Sequence, residues 1–388
     1  MRRVLDRIRP WRAPRPPSGA PLAIVIGAGA AGLATAVMLH ANGVRAVVQD
    51  RGTDVGGAWP HRYDALRLNT VRWMSDLPGL RMGSELDRWV ARDDLTDYLR
   101  RYADWHHLDL RLGSTVDRVD PIDGGRWSVA SDQGAEIADA VVVATGHSRE
   151  GRVPEWPGAA GFDGEILHSS AYRNADQLPG DHVGVVGAGS SGGEIILDLL
   201  NAGRKVTWSV RTAPRVFPRE ALGVPVTPLA PIAEVFPDRL IDRAAPWLER
   251  AVYGRRDYLP EPQESMTRLL ASCKEPMTAD GIVERLRSGA IEVVPAVESF
   301  SSSGLVLADG REHEVDTVIA ATGFSPGLER LVGHLGVLDG EGRPRSLTPR
   351  RGLGFVGYRI PLTGTLWAIE TDARRAARTI AEGIGDRR

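Results

Sequence analysis

LAIVIGAGAAGLATAVML, residues 22–39, is a run of 18 uncharged residues, and the fold turns on how it is read. Its length alone would pass as a membrane span. Three glycines spaced as Gly27-x-Gly29-x-x-Gly32 instead predict strand, tight turn and helix. Such glycines let the backbone turn sharply and approach a pyrophosphate, while the helix N-terminus supplies unpaired N–H groups and a positive dipole end. The strand is read as Leu22 to Ile26 and the helix as running to about Asn42. The plan then repeats. A strand from Val183 to Val186 leads into Gly187-x-Gly189-x-x-Gly192 and a helix to about Asn201. Each copy closes on an apolar strand ending in Ala-Thr-Gly, VVVATG at 141–146 and VIAATG at 318–323. The second copy is longer, and the Pro-rich stretch 213–277 accounts for the difference.

The copies differ where nucleotides are told apart. The strand Ala46 to Gln49 ends at Asp50, whose carboxylate suits ribose hydroxyls and would repel a 2′-phosphate. The strand Val206 to Val210 ends at Arg211, which can pair with that phosphate. The first site therefore reads as FAD and the second as NADPH. The fold class is α/β, with two Rossmann-like domains in three layers and small β-meanders. A basic tail spans 1–20, the FAD domain 21–165, an inserted NADPH domain 166–315 and the return of the FAD domain 316–388.

Composition limits the rest. The chain has 388 residues, 48 Lys plus Arg against 50 Asp plus Glu and a formal net charge of -2, so it offers no bulk attraction to nucleic acid. One cysteine, Cys273, excludes an internal disulfide and a redox-active cysteine pair, and makes a cytoplasmic setting the default. It reads as inert. No histidine cluster suggests a metal, and His106-His107 reads as surface. Residues 1–20, with six arginines and four prolines, read as a frayed tail or as a short amphipathic helix through Val4, Leu5, Ile8 and Trp11. Leu95, Tyr98, Leu99 and Tyr102 mark one face of a helix over 92–107. Trp59, Trp73, Trp89 and Trp105 read mostly as core, residues 108–140 as a meander turning at Asp123-Gly124-Gly125, and a last helix over 372–383 as capped by Thr371. Its N-terminus is expected to face the flavin.

Further motifs resemble the flavin-containing monooxygenases. Phe162-x-Gly164-x-x-x-His168-x-x-x-Tyr172 matches their fingerprint between the two dinucleotide motifs, Gly56-Gly57-Ala58-Trp59 matches GGxW, and residues 316–324 match the late ATG element. Leu66-Arg67-Leu68 and Val216-Phe217-Pro218-Arg219-Glu220 are most similar to the plant indole-3-pyruvate monooxygenases and their bacterial relatives. Asn69-Thr70 departs from them, since the plant enzymes carry His at the first position, and resembles the N- and S-oxygenating branch. Tyr172-Arg173 departs from the fingerprint ending of the Baeyer–Villiger enzymes.

The resemblance implies an NADPH- and O₂-dependent enzyme that forms a hydroperoxyflavin and passes one oxygen atom to a small organic substrate, a soft nitrogen or sulfur nucleophile or an activated carbonyl. It implies no transmembrane segment and is compatible with a homodimer. Asn69 would sit beside flavin and nicotinamide, and Ser191, Gly192 and Glu194 would contact NADP. Arg51, Ala58, Trp59, Leu68, Thr70, Ala144, Thr145, Gly146, Ser190 and Gly323 complete the cofactor-binding set. His168 would anchor the interdomain linker. The alternative is an FAD-dependent NADPH reductase or oxidase without oxygen insertion.

Overall fold

Strand β1 (Leu22–Ile26) enters the loop of Gly27 and Gly29, and helix α1 (Ala30–Ala41) follows. The 18-residue apolar run is thus divided, and among the described residues no helix is long and apolar enough to cross a membrane. The computed structural model describes residues 10–221, 223–233, 236–272 and 274–386, so Cys273 and Val4, Leu5 and Ile8 lie outside the described residues. The chain continues with β2 (Arg45–Asp50), α2 (Arg92–Trp105), β3 (Asp109–Leu112), β4 (Val116–Ile122), β5 (Arg126–Ser131), β6 (Gly134–Ala138) and β7 (Ala140–Val143). The second copy runs β8 (Glu165–His168), β9 (His182–Val186), α3 (Ser190–Asn201) and β10 (Lys205–Ser209). Beyond α4 (Asp238–Tyr253) and α5 (Ile282–Arg287) come β11 (Ile291–Val294), β12 (Val297–Phe300), β13 (Gly304–Leu307), β14 (Glu312–Glu314) and β15 (Thr317–Ala320). Strand β16 (Leu353–Phe355) and helix α6 (Thr365–Gly385) end the chain.

Two five-stranded sheets result, ordered β16-β7-β1-β2-β3 and β11-β10-β9-β15-β8, with parallel pairing throughout. Strands buried on both faces need apolar side chains on both, which is why LAIVI does not alternate with polar residues. The pleat then sorts them. Ala23 and Val25 face a core shared with α1, α2 and α6, whereas Ile24 and Ile26 pack with Val119, Trp127 and Val129 of the antiparallel β4-β5-β6 sheet. The second sheet does the same. Val183, Val185 and Trp208 join Ile195, Ile196 and Leu199 of α3, and Val186, Val294 and Val318 meet Leu305 and Leu307 of the β12-β13-β14 sheet. Each domain is therefore helix, parallel sheet and antiparallel sheet in three layers.

Several expectations shift. Strands β8 and β15 both pair within the second sheet, with β15 between β9 and β8. Strand β3 joins the first parallel sheet beside β2, leaving the meander to β4, β5 and β6. The last helix starts at Thr365, because Leu366 and Ile369 continue the buried face of Ala373, Ala376 and Ile380, and Thr371 lies within it. Of the four clustered tryptophans none is buried, and Trp73 is 48% exposed; the buried ones are Trp127 and Trp208.

The tail is tied down from Trp11 onward. Its N–H donates to Gly79 O at 2.9 Å, Ala13 N–H donates to His106 Nδ1, and Arg12 stacks over Trp105. Trp11 is not helical, and His106 is buried beneath it against Tyr102. Surface was the wrong reading for His106, because the tail covers it.

Candidate functional site

The loops after β1 and β9 are built by one rule. Gly27 has φ +113°, and a Cβ there would lie 2.5 Å from the Ala144 carbonyl oxygen. Gly187 has φ +119°, and its Cβ would lie 2.3 Å from the Ala321 oxygen. Each glycine is thus pressed against the strand end that carries Ala-Thr-Gly, which explains why the two motifs recur together. Helices α1 and α3 begin behind Gly29 and Gly189 with no side-chain cap and no acidic residue in the first turn. Their first N–H groups are left for an external acceptor, and the small loop residues leave room for it. The fit is to a dinucleotide pyrophosphate.

Asp50 is held against the first loop. Its Oδ2 accepts from Ala28 N–H at 2.6 Å and its Oδ1 from Gly52 N–H at 2.7 Å. Arg211, just past the end of β10, is exposed at the corresponding place in the second copy.

The first loop and the start of α3 behind the second loop open on one cavity of about 690 Å³. From the first domain Gly27, Gly29, Asp50, Arg51, Ala58, Trp59, Leu68, Asn69, Thr70, Ala144, Thr145 and Gly146 line it. From the second come Ser190, Ser191 and Glu194, and from the stretch after β10 come Phe217, Pro218, Arg219 and Thr227. The start of α6 reaches it through Gly364, Thr365 and Leu366. Among the expected residues Gly32, Gly187, Gly189, Gly192, Arg211 and Gly323 do not line it. Gly32 and Gly192 instead sit under the carbonyls of Gly27 and Gly187, where any side chain would collide.

The fingerprint residues build the frame. Phe162 packs on Phe300 with ring centroids 5.3 Å apart, and a Cβ on Gly164 would lie 2.2 Å from Asp316 O. Tyr172 is buried and donates to Asp198 Oδ2 at 2.6 Å. His168 Nε2 lies 3.0 Å from Gly323 O, and its Nδ1 lies 2.8 Å from Ser170 Oγ. Burial lowers its pKa, so the ring is neutral near pH 7. A carbonyl only accepts, so Nε2–H donates to Gly323 and Nδ1 accepts. The histidine ties the two interdomain crossings together, with Phe324 edge-on to its ring at 4.8 Å.

Tyr63 and Arg219, which the sequence reading did not place in the site, join Glu194 and Asn69 in setting its electrostatics. Tyr63 Oη donates to Glu194 Oε2 at 2.6 Å, and Arg219 donates to Glu194 Oε1 at 2.8 Å and, through Nε–H, to Asn69 Oδ1 at 3.1 Å. Burial pushes the Glu194 carboxyl up to about 7, against the opposing pull of Arg219 and Tyr63. Burial also lowers His147, another cavity residue. The signal for Arg219 was present in Val216 to Glu220, but only as family likeness. Nothing in the sequence set Tyr63 apart.

The chain matches the family of flavin-binding monooxygenase-like (FMO-like) proteins over residues 21–333. It is 34% identical over 352 residues to indole-3-pyruvate monooxygenase YUCCA1 of Oryza sativa subsp. japonica, covering 87% of this chain and 86% of that protein. It is 31% identical to the probable indole-3-pyruvate monooxygenase YUCCA9 of Arabidopsis thaliana, covering 86% and 82%. The flavin-containing monooxygenase of Stenotrophomonas maltophilia superposes with a TM-score of 0.71 at 25% identity, covering 93% of this chain and 98% of that one. An open cyclohexanone monooxygenase structure shares the fold, with a TM-score of 0.72 at 22% identity over 93% and 87% of the two chains.

Proposed function

The chain belongs to the FMO-like family of flavin-binding monooxygenases, and from that premise we propose that it oxygenates a small organic substrate in the cavity where its two dinucleotide clefts meet. Its cofactors are FAD and NADPH. The Gly27 and Gly29 loop, Asp50 and the Ala144-Thr145-Gly146 strand end would hold FAD in the first cleft. The start of α3 would hold the pyrophosphate of NADPH in the second, and Arg211 would pair with its 2′-phosphate. NADPH and FAD together supply the two-electron reduction that lets O₂ give one atom to the substrate and the other to water.

The protein's part is to hold, orient and exclude water. Asn69 is the polar side chain that serves the reacting end, because its amide brings hydrogen-bonding groups without a charge that would be costly in a dry site. Trp59, Leu68 and Leu366 wall the cavity against solvent. One observation carries the reading: the first glycine loop, the start of α3 at Ser190 and Ser191, and Asn69 open on the same cavity. Substrates to try first are indole-3-pyruvate, on which the similar plant enzymes act by name, then thioethers and tertiary amines. A cytoplasmic setting goes with the single cysteine.

Purified protein given NADPH in an oxygen electrode, with mass spectrometry of the products, tests this. A substrate gaining one oxygen atom per NADPH supports it. NADPH consumption with all the oxygen recovered as hydrogen peroxide, whatever substrate is offered, would establish the reductase or oxidase alternative.

A further inference from the structure

Arg219 reaches the cavity from the stretch that follows β10, and its three nitrogens are all engaged. Nε–H donates to Asn69 Oδ1 at 3.1 Å, Nη2 to Glu194 Oε1 at 2.8 Å, and Nη1 lies 3.7 Å from Asp280. The same stretch touches Asn69 a second time, through Thr227 Oγ1 donating to its backbone oxygen at 3.2 Å. On the far side of Glu194, Tyr63 Oη donates to Oε2 at 2.6 Å. Tyr63 and Asn69 belong to the first domain and Glu194 to helix α3 in the second. The guanidinium therefore bridges both domains at the cavity wall. Its side chain is 11% exposed and that of Glu194 9%, so these bonds are made away from bulk water, where they are strongest.

An asparagine amide has two nearly isosteric faces, one accepting and one donating. Arginine only donates. The atom that faces Nε–H must therefore be Oδ1, and Nδ2, which bonds no protein group among the described residues, is left to the cavity that Asn69 lines. Without Arg219 nothing on that side selects one face over the other.

Resting on the monooxygenase reading, we propose that Arg219 is a positioning residue that locks the Asn69 amide with its N–H donors toward the reacting centre, and that Glu194 and Tyr63 hold Arg219 in place. Lysine does not replace it, because one ammonium cannot reproduce the Nε and Nη2 geometry of the planar fork. The lock depends on pH. Glu194 titrates at about 7, so it binds Arg219 as a carboxylate above that pH and loses the ion pair as pH falls through it. The groups that face it are Tyr63 and Arg219, with Ser191 and Arg62 beside Tyr63, Glu275 nearby in the cavity lining and Asp280 beyond Arg219.

The test is a double-mutant cycle on flavin-loaded protein. Flavin content and melting curves come first, so that R219A and R219K are compared only as folded holoenzymes; Y63F, which keeps Arg219, is the milder variant. The readout is the peroxide released per NADPH consumed from pH 6 to 9. R219A and R219K should each raise that ratio several-fold at pH 8, about as far as N69L does, and R219A should add nothing in the N69L background. The wild-type ratio should rise as pH falls through about 7, and E194Q should show no such step. An R219A effect as large in N69L as in the wild type overturns the proposal, and so does full rescue by lysine. Crystal structures of wild-type and R219A holoenzyme judge positioning even if no substrate is oxygenated. An Asn69 amide that keeps one orientation without Arg219 overturns it. Failure of the wild type to oxygenate any substrate strikes the monooxygenase reading alone.

Discussion

The two dinucleotide units are the same device set to different ends. Each presses its first glycine against the carbonyl at an Ala-Thr-Gly strand end, starts a helix without a side-chain cap, and carries its discriminating residue at the end of the next strand. What differs is charge and freedom. Asp50 is clamped by two backbone N–H groups inside the cavity, whereas Arg211 stands exposed outside it. A clamped carboxylate suits a cofactor that stays, and an exposed guanidinium suits one that comes and goes. On the proposed reading, backbone geometry makes the site in both units, and one side chain chooses the ligand.

The largest test separates the units by breaking each loop. Alanine at Gly27 or Gly187 must accept left-handed backbone, at about 1–2 kcal/mol, and push aside a carbonyl, at about 1–3 kcal/mol more. Gly27→Ala should purify without the yellow flavin absorbance. Gly187→Ala should keep it and lose roughly a hundredfold in NADPH affinity by fluorescence titration. Loss of flavin from both would mean that the second unit is not a separate cofactor site.

Next comes the residue between the units. Asn69→Leu removes one preorganised donor, typically about 3 kcal/mol at the step it serves. Flavin should remain bound, and the fraction of NADPH oxidised to peroxide should rise towards completion. An unchanged ratio would reduce Asn69 to a loop residue.

Arg211→Ala sharpens the comparison of strand ends. A lost charge-assisted hydrogen bond is worth about 1.5–3 kcal/mol, so NADPH should bind roughly ten- to a hundredfold more weakly while NADH is unaffected. The loss should shrink with added salt, since the site is exposed. Equal weakening of both nucleotides would move the 2′-phosphate elsewhere.

The smallest effect belongs to the frame. Tyr172→Phe removes the hydroxyl bonded to Asp198 and should lower stability by about 1 kcal/mol, read as a shifted denaturant midpoint. Both cofactor affinities should stay as they were. A selective loss of NADPH would bring the fingerprint into the site itself.

Much of this was legible in the residues. Period and composition sufficed for β1, α1, β9 and α3, because a doubly buried parallel strand must be apolar throughout and a glycine loop must precede an uncapped helix. Asp50 was legible too, since its distance from the loop is set by one helix and one strand.

Tertiary packing decided the rest. The start of α6 at Thr365 rather than after Thr371 follows from its burial against α1 and the first sheet, which no local cap signal reports. The placement of β15 in the second sheet follows from pairing with β8 and β9, partners 152 and 134 residues away in the register. Tyr63, Glu194, Arg219 and Asn69 meet only because the connection between β2 and α2, helix α3 and a long insertion converge on one cavity. Local sequence determines elements and loops, since these depend on neighbours along the chain. A bridge between domains depends on neighbours in space, and only the fold chooses those.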